Sequence, residues 1–243
     1  MITARQRLLL KAIIEEFINS AEEVGSVALR EKYSLNFSPA TIRNEMARLA
    51  ELGLLEKSHV SSGRRPTAVG MRYFLNDLLE EFAYEDLDML VTATIHESLF
   101  QKRFNVDKLL TEAVIALYQL TDNTVIALIN GRRYLAGVSQ IVDQPEYRDL
   151  ERLKKILSIM EDYNILSELF LRYTRNEEIV VLIGEETGID QLNNSAIVFA
   201  PIKLYNLDNS YIGVIGPNRM NYAKVIPALK YIAESIKEVA EGW

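Results

Sequence analysis

The chain has 243 residues, about half of them apolar and a quarter charged, which is enough for two domains with hydrophobic cores and typical of a globular protein. It has no cysteine, which excludes disulfides, thiolate metal sites and cysteine nucleophiles, and no apolar run of the roughly 18 residues that a membrane helix needs, so we expect a cytoplasmic protein. The net charge of −7 excludes a uniformly basic surface, so a nucleic-acid partner requires a local excess of positive charge.

The chain begins with signals for three helices. Thr3 and Gln6 form a capping-box pattern, and apolar residues then recur at helical spacing. Residues 22–25 predict a turn, and Ser26 predicts the N-cap of a short helix that runs toward Tyr33. Three helices whose last two are separated by a short turn are typical of a helix-turn-helix.

The third helix has well-defined ends. Ser38 predicts its N-cap, and Pro39 fits the first helical position, where a missing N–H does no harm. Gly53 predicts the C-terminal stop. The helix is therefore short and is followed closely by a strand.

The third helix also has the two faces of a DNA recognition helix. At about 100° per residue its apolar residues share one side, and small, polar and cationic residues share the other. The outward residues are Ala40, Thr41, Asn44, Ala47 and Arg48, with Arg43 at the flank. Asn44 can pair with adenine, and Arg43 or Arg48 can reach guanine or phosphate. The alternative is an ordinary surface helix with a solvated polar face.

A β-ribbon is predicted after the third helix. Residues 54–58 and 64–67 predict two short strands, joined by a polar turn at residues 60–63. Arg64 and Arg65 stand beside the glycine of that turn, which suits a wing that contacts phosphate or the minor groove. The alternative is a solvated hairpin whose arginines contact nothing.

Charge is unevenly distributed along the chain. Residues 1–75 hold 11 Lys and Arg against 8 Asp and Glu, whereas residues 76–243 hold 16 against 26. A modestly basic module attached to an acidic one is consistent with a DNA-binding domain joined to a partner or dimerisation domain. A fourth helix from Thr67 leads to an acidic boundary, so we predict domains at residues 1–80 and 81–243.

The second domain mixes helices and strands without strict alternation. Its predicted helices are at residues 85–101, 106–120, 147–160, 165–173 and 221–240, and its predicted strands are at residues 178–183, 196–205 and 211–215. Asn130-Gly131 predicts a hairpin turn between the β-branched runs of residues 124–142. This order predicts an α+β fold, a sheet packed against helices. Arg132 and Arg133 after the turn can bind an anion, although solvated side chains are the favoured interpretation.

The last predicted helix carries an apolar stripe with the spacing of a coiled-coil seam. Its members are Tyr222, Val225, Leu229, Ile232, Ile236 and Val239. The stripe covers under three heptads, which is too short for a coiled coil. It predicts packing on the domain's own sheet or a contribution to a homodimer interface, and the two do not exclude each other.

The sequence contains no recognisable catalytic or cofactor motif. Residues 184–188 lack the spacing and the lysine of a phosphate-binding loop, and no G-x-S-x-G is present. His59 and His96 are the only histidines, and the latter lacks the second histidine of a zinc-protease helix. We therefore predict no enzymatic activity, no metal and no cofactor.

Two blocks of sequence together resemble a known family. The first comprises Gly25-Ser26, Leu29, residues 38–55, Ser61-Ser62-Gly63-Arg64, Pro66-Thr67, Gly70 and Arg72-Tyr73-Phe74. The second comprises Ile183-Gly184-Glu185-Glu186, residues 213–222 and Val225-Ile226-Pro227. With both blocks, the chain resembles the heat-inducible transcription repressor HrcA family.

The resemblance implies a winged helix-turn-helix domain joined to a GAF-like α+β domain. It also implies a dimer that binds an inverted repeat upstream of chaperone genes and represses them, with the chaperonin as the partner that keeps the repressor active. Carried over to this sequence, the DNA-contact positions are Thr41, Arg43, Asn44 and Arg48, with wing residues near Ser62 and Arg64. We add the helix cap Ser38 and the second wing arginine, Arg65, to the predicted DNA-binding residues.

The chain departs from this family in length. Family members carry a dimerisation segment inserted into the GAF-like domain, and residues 123–216 leave little room for it here. We therefore look for the dimer contact in the helices of residues 85–120 or in the last helix.

Two other functions compete with a chaperone-gene repressor. A small-molecule-responsive winged-helix regulator would bind a metabolite in the GAF-like domain, where residues 201–205 can line a pocket. A chaperonin-binding adaptor would use the winged helix only for protein contacts, which fits the arginines on the outer face of the third helix less well.

Overall fold

The computed structural model describes residues 2–57, 63–79, 87–174, 178–204, 207 and 209–241. Contacts divide the chain into two compact units, Met1–Ala83 and Tyr84–Trp243. Within the described ranges, no helix combines the length and the apolar character that crossing a bilayer requires.

The first unit packs helices around a short antiparallel ribbon. Its elements are α1 (Ala4–Ser20), α2 (Ser26–Lys32), α3 (Pro39–Glu51), β1 (Leu55–Glu56), β2 (Arg65–Pro66) and α4 (Ala68–Asp77). Its core is built from buried apolar residues of all four helices and of β1: Leu9, Leu10, Ile13 and Ile14 of α1, Leu29 of α2, Ile42, Met46 and Leu49 of α3, Leu55 of β1, and Met71 and Phe74 of α4.

The helix ends follow from the residues at the caps. Thr3 and Gln6 make both bonds of the predicted capping box, at 2.9 and 3.2 Å. Ser38 caps α3 by accepting the N–H of Thr41 at 3.1 Å. The prediction of Ser26 as the cap of α2 is wrong by one residue, because Gly25 already has the extended cap backbone, with φ −86° and ψ 148°.

The ribbon is tied to the turn before α2. β1 and β2 pair antiparallel through Leu55 with Pro66 and Glu56 with Arg65. Val24 and Arg64 exchange two further backbone hydrogen bonds of 2.8 and 3.0 Å. A Cβ on Gly63 would lie 2.6 Å from the carbonyl oxygen of Val24, so this close approach requires glycine.

The second unit is α+β, as predicted. Its helices are α5 (Met89–Lys102), α6 (Val106–Thr121), α7 (Ser139–Asp143), α8 (Leu150–Glu161), α9 (Tyr163–Tyr173) and α10 (Tyr222–Ala240). Its strands are β3 (Thr124–Ile129), β4 (Arg132–Ala136), β5 (Val180–Ile183), β6 (Ser195–Pro201) and β7 (Tyr211–Pro217). The strands form one antiparallel sheet in the order β4-β3-β7-β6-β5.

Helices cover both faces of this sheet. On one face α6 and α10 pack against β3, β6 and β7, and α5 lies against both of those helices. On the other face α8 and α9 complete a core in which Phe170 stacks on Phe199 with ring centroids 4.2 Å apart and meets Tyr211 edge-on at 5.5 Å. The space between this face and its helices is therefore filled by side chains.

The last helix packs within its own unit. All six members of its apolar stripe are buried, and the helix contacts α5, α6, β6 and β7. The prediction that the stripe packs on the domain's own sheet is confirmed. Its side chains are consequently not presented to a second copy.

The β3–β4 hairpin turns where predicted. Asn130 and Gly131 both have positive φ, 45° and 78°, as a tight hairpin turn requires. Arg132 forms an ion pair with Asp107 at 2.6 Å, and the hydroxyl of Tyr134 donates to the same carboxylate. These contacts, the Tyr134 hydrogen bond first, lower the pKa of Asp107. Arg132 thus has an acidic partner within the unit.

Several predicted boundaries in this unit are wrong: the strand predicted over residues 196–205 ends at Pro201, and two further errors have a clear local cause. The run that ends at residue 142 does not stay extended, because the chain turns at Gly137, where φ is 70°, and continues as α7. The helix predicted from residue 147 begins at Leu150, because Asp149 caps it by accepting the N–H of Arg152 at 3.0 Å.

Candidate nucleic-acid interface

The exposed face of α3 presents an amide between two arginines. Asn44, Arg43 and Arg48 are all exposed, and the opposite side of the helix is buried in the core. At about 100° per residue, Asn44 lies near the middle of the exposed arc, with Arg43 at one edge and Arg48 toward the other. Ala40 and Ala47 flank Asn44 with side chains short enough for a groove wall to approach.

The side chains of Ser38 and Thr41 are hydrogen-bonded to each other at the start of this helix. Their hydroxyl groups lie 2.9 Å apart in a mutual hydrogen bond, and the Ser38 hydroxyl also accepts the N–H of Thr41. Both groups remain at least partly accessible. Their first role is therefore to fix the N-terminus of α3, the end at which backbone N–H groups attract anions.

A cleft of about 720 Å³ separates α2, α3 and the base of the ribbon. Arg43 and Arg64 line it together, along with Glu31 and residues 24–28. The Nε of Arg64 is buried and has no hydrogen-bond partner among the described residues, while a terminal nitrogen of its guanidinium donates to the carbonyl of Gly63 at 3.3 Å. The cleft therefore brings two cationic side chains, Arg43 and Arg64, together beside the carboxylate of Glu31.

The other predicted ribbon residues have different surroundings. Arg65 forms an ion pair with Glu56 across the ribbon at 2.8 Å, and both side chains are about half exposed. An exposed pair of this kind contributes only about 0.2–1 kcal/mol, so Arg65 can exchange its partner. Ser62, the predicted turn from residue 60 and His59 lie outside the described residues.

Sequence reasoning missed a buried carboxylate on α3. Glu45 is only 6% exposed, accepts a hydrogen bond from the side chain of Gln6 at 3.0 Å, and has Arg48 at 3.4 Å. The signal was available, since Glu45 falls on the apolar arc of the helix with Ile42 and Leu49. An acidic residue on a buried face requires partners that compensate for its lost solvation.

The described part of the second unit has a cleft of about 480 Å³ beside the β3–β4 hairpin, where Arg132 and Tyr134 are already bonded to Asp107. No group of three His, Asp or Glu side chains there could hold a metal. Pro201 and Lys203 line only an open cleft of about 190 Å³, below the roughly 300–1,000 Å³ of typical ligand sites. His96 is partly exposed and lies 3.5 Å from Glu238.

Comparisons with known proteins identify the family of the chain. Residues 59–226, more than half of the chain, match the family model described as the HrcA protein C-terminal domain. A heat-inducible transcription repressor HrcA from Carboxydothermus hydrogenoformans is 27% identical over 337 aligned positions, covering 98% of each chain. The protein of that name from Symbiobacterium thermophilum is 28% identical over 337 positions, covering 98% of this chain and 99% of its own.

The alignments also bear on chain length. Of the 337 aligned positions, at least 94 have no counterpart in a chain of 243 residues, so these relatives carry additional internal sequence. The whole chain nevertheless has the fold of a solved structure, described as a hypothetical protein at 2.2 Å resolution, with a TM-score of 0.83, 20% identity and coverage of 100% of this chain and 99% of that one. The chain belongs to the HrcA family, which is a family of transcription repressors and not an enzyme class, and it is accordingly a transcription repressor of heat-shock genes.

Proposed function

We propose that this protein is a dimeric, sequence-specific repressor that blocks a promoter by occupying it. In this proposal the first unit is a winged helix-turn-helix domain, with α3 as the recognition helix and the β1–β2 ribbon as the wing. The second unit is a GAF-like regulatory and dimerisation domain. Because the target is an inverted repeat upstream of chaperone genes, we infer a cytoplasmic location.

One observation carries the proposal. The exposed face of α3 places Asn44 between Arg43 and Arg48, in a chain whose family consists of transcription repressors. An asparagine can pair bidentately with adenine in the major groove, whereas arginines at the edges of the helix are suited to guanine or phosphate. We therefore assign base reading to Asn44, with Arg43 and Arg64 on the cleft side of the helix.

The remaining predicted positions have supporting roles in this assignment. Ser38 and Thr41 fix the helix N-terminus and offer its backbone N–H groups to a phosphate. Arg65, and Ser62 in the turn, would contact the backbone from the wing. None of these contacts carries sequence information by itself.

A symmetric operator requires a two-fold dimer. Of the two segments predicted to supply its interface, the last helix buries its apolar stripe. The C-terminal end of α5 and the turn after it instead keep aromatic side chains at the surface, with Phe104 72% and Phe100 44% exposed, and the guanidinium of Arg103 lies over both rings at 4.1 and 3.7 Å. We place the dimer contact at this end of α5, because aromatic and arginine side chains are enriched at interface centres.

The proposal is tested by DNA binding. The purified protein should bind the inverted repeat of a chaperone promoter with two protomers per duplex and prefer it at least about a thousandfold to a scrambled duplex at physiological salt. Fluorescence anisotropy across a salt series measures both affinities, and sedimentation measures the stoichiometry. Weak binding without preference, with and without added chaperonin, would refute the proposal.

The chaperonin is the proposed source of regulation. If it keeps the repressor active, adding purified chaperonin should raise the fraction of repressor that binds the operator. The same addition should leave the operator preference of each active molecule unchanged. An active fraction that does not respond to chaperonin would point to direct sensing of heat by the repressor.

Asn44→Ala is the sharpest test of base reading. The substitution should cost about 1–3 kcal/mol of binding to the operator while leaving binding to the scrambled duplex nearly unchanged, because phosphate contacts do not depend on sequence. Asn76→Ala, which removes another exposed asparagine of the first unit, serves as the control and should change neither affinity. Equal losses on both duplexes would contradict the assigned role of Asn44.

A further inference from the structure

Glu45 is the most deeply buried acidic residue on the proposed recognition helix. Its side chain is 8% exposed, and one carboxylate oxygen, Oε2, accepts the side-chain N–H of Gln6 at 3.0 Å. Gln6 is itself buried, at 7% exposure, and belongs to the capping box of α1. Glu45 thus ties the recognition helix to the first turn of α1.

The other carboxylate oxygen holds two arginines. Oε1 of Glu45 lies 3.4 Å from a terminal nitrogen of Arg48 and 3.6 Å from a terminal nitrogen of Arg5. The guanidinium of Arg5 also lies over the ring of Phe37, 5.0 Å from its centroid. Arg5 is therefore held on two sides, by an anion and by an aromatic face.

The arginines themselves point outward. The side chain of Arg48 is 65% exposed and that of Arg5 is 48% exposed, although the carboxylate between them is buried. Each guanidinium has five N–H donors, and the ion pair with Glu45 engages one terminal nitrogen of each. Two cations share one anion, so the cluster keeps a net positive charge that faces solvent beside α3.

Such a cluster is suited to a phosphate. A buried carboxylate is stable only when it is paired, which keeps both arginines close to Glu45. Holding long side chains in place before binding reduces the entropy that a phosphate contact costs. Because Arg48 and Arg5 come from different helices, their common position is set by packing rather than by helical spacing.

We propose that Arg5 and Arg48 form a clamp for a DNA backbone phosphate, with Glu45 as the positioning residue that holds both. This inference rests on the proposed DNA-binding function and extends it to Arg5, which lies outside the recognition helix. It also assigns Arg48 to the backbone rather than to a base. Asn44 is then flanked by two arginine pairs, Arg43 with Arg64 and Arg48 with Arg5.

Single alanine variants test the clamp itself. Arg5→Ala should weaken binding to operator and scrambled duplex by the same factor, about eightfold at 0.1 M salt, and should reduce the slope of log K against log salt by about 0.9, the value for one phosphate contact. Arg48→Ala should behave in the same way. The control is Arg152→Ala, which removes the same charge from an exposed site in the second unit and should change neither quantity.

A double-mutant cycle tests the role of Glu45. Glu45→Gln keeps the shape and an acceptor for Gln6 but removes the charge that holds the arginines. If Glu45 positions Arg5, the loss caused by Arg5→Ala should be at least about threefold smaller in the Glu45→Gln background than in the unsubstituted protein. Thermal unfolding of each variant shows whether the first unit remains folded, and a merely structural role for Glu45 would leave the two losses equal.

The outcomes separate the clamp from the underlying function. If the unsubstituted protein prefers the operator but Arg5→Ala matches the Arg152→Ala control, the clamp is wrong and the repressor proposal stands. If the unsubstituted protein shows no preference, the proposed function itself fails. Losses that add fully in the cycle would overturn the positioning role of Glu45 while leaving phosphate contacts by the arginines in place.

Discussion

Phe170→Ala should destabilise the second unit by about 3–5 kcal/mol, the largest effect that we expect from a single substitution in this chain. Phe170 is fully buried between α9 and the sheet, where it stacks on Phe199 and meets the edge of Tyr211. Removing the ring deletes that apolar contact and leaves a cavity that its neighbours can only partly fill. Denaturant unfolding should show a lower midpoint at an unchanged slope.

The neighbouring residue provides a matched control. Leu171 follows Phe170 on the same helix but is 50% exposed, so Leu171→Ala should change stability by less than about 0.5 kcal/mol. Because the chain forms two units, hydrogen exchange of separate peptides should assign the loss to the second unit. A small effect of Phe170→Ala would mean that this layer is loosely packed, and it would revive the idea of a ligand cavity under the sheet.

Gly70→Ala should destabilise the first unit by about 1–3 kcal/mol. In an exposed helix the same substitution usually stabilises by about 1 kcal/mol, so the sign of the effect is diagnostic. A Cβ at residue 70 would collide with the carbonyl oxygen of Leu54 and lie 3.0 Å from its carbonyl carbon. That oxygen also accepts the backbone N–H of Thr67 at 3.1 Å, so moving it disturbs the junction between α3, β1 and α4.

Gly70→Ala should also weaken operator binding, because the junction between α3, β1 and α4 sets the position of the ribbon relative to the recognition helix. Val69→Ala, one residue earlier and 62% exposed, tests whether any alteration of α4 has this effect and should be nearly neutral. Hydrogen exchange in the second unit should be unaffected by either variant. Stabilisation by Gly70→Ala would show that Leu54 moves away freely.

Local signals in the sequence correctly predicted the ends and the exposed face of α3. Ser38, Pro39 and Gly53 define the ends of α3 through capping chemistry that acts within one turn. The helical period then separates the buried Ile42 and Leu49 from exposed residues such as Asn44. These features depend on residues close in the chain, and this is why they can be read from the sequence.

The partners of those exposed residues could not be predicted in the same way. Arg5 meets Glu45 across 40 positions of sequence, and Arg64 reaches the cleft because its backbone pairs with Val24. Neither contact is marked by a periodic pattern of residues in the sequence. Each exists because helix packing and the close approach at Gly63 bring distant segments together.

The same division holds for the whole protein. The amino-acid order was enough to predict the class of fold, the hairpin at Asn130-Gly131 and the amphipathic pattern of the last helix, because backbone preference and apolar periodicity are local properties. Long-range packing, in contrast, buries the stripe of that helix within its own unit, brings two arginines to Glu45, and fills the space under the sheet with Phe170 and Phe199. Those outcomes depend on which surfaces meet, and that is settled by close packing of the complete core.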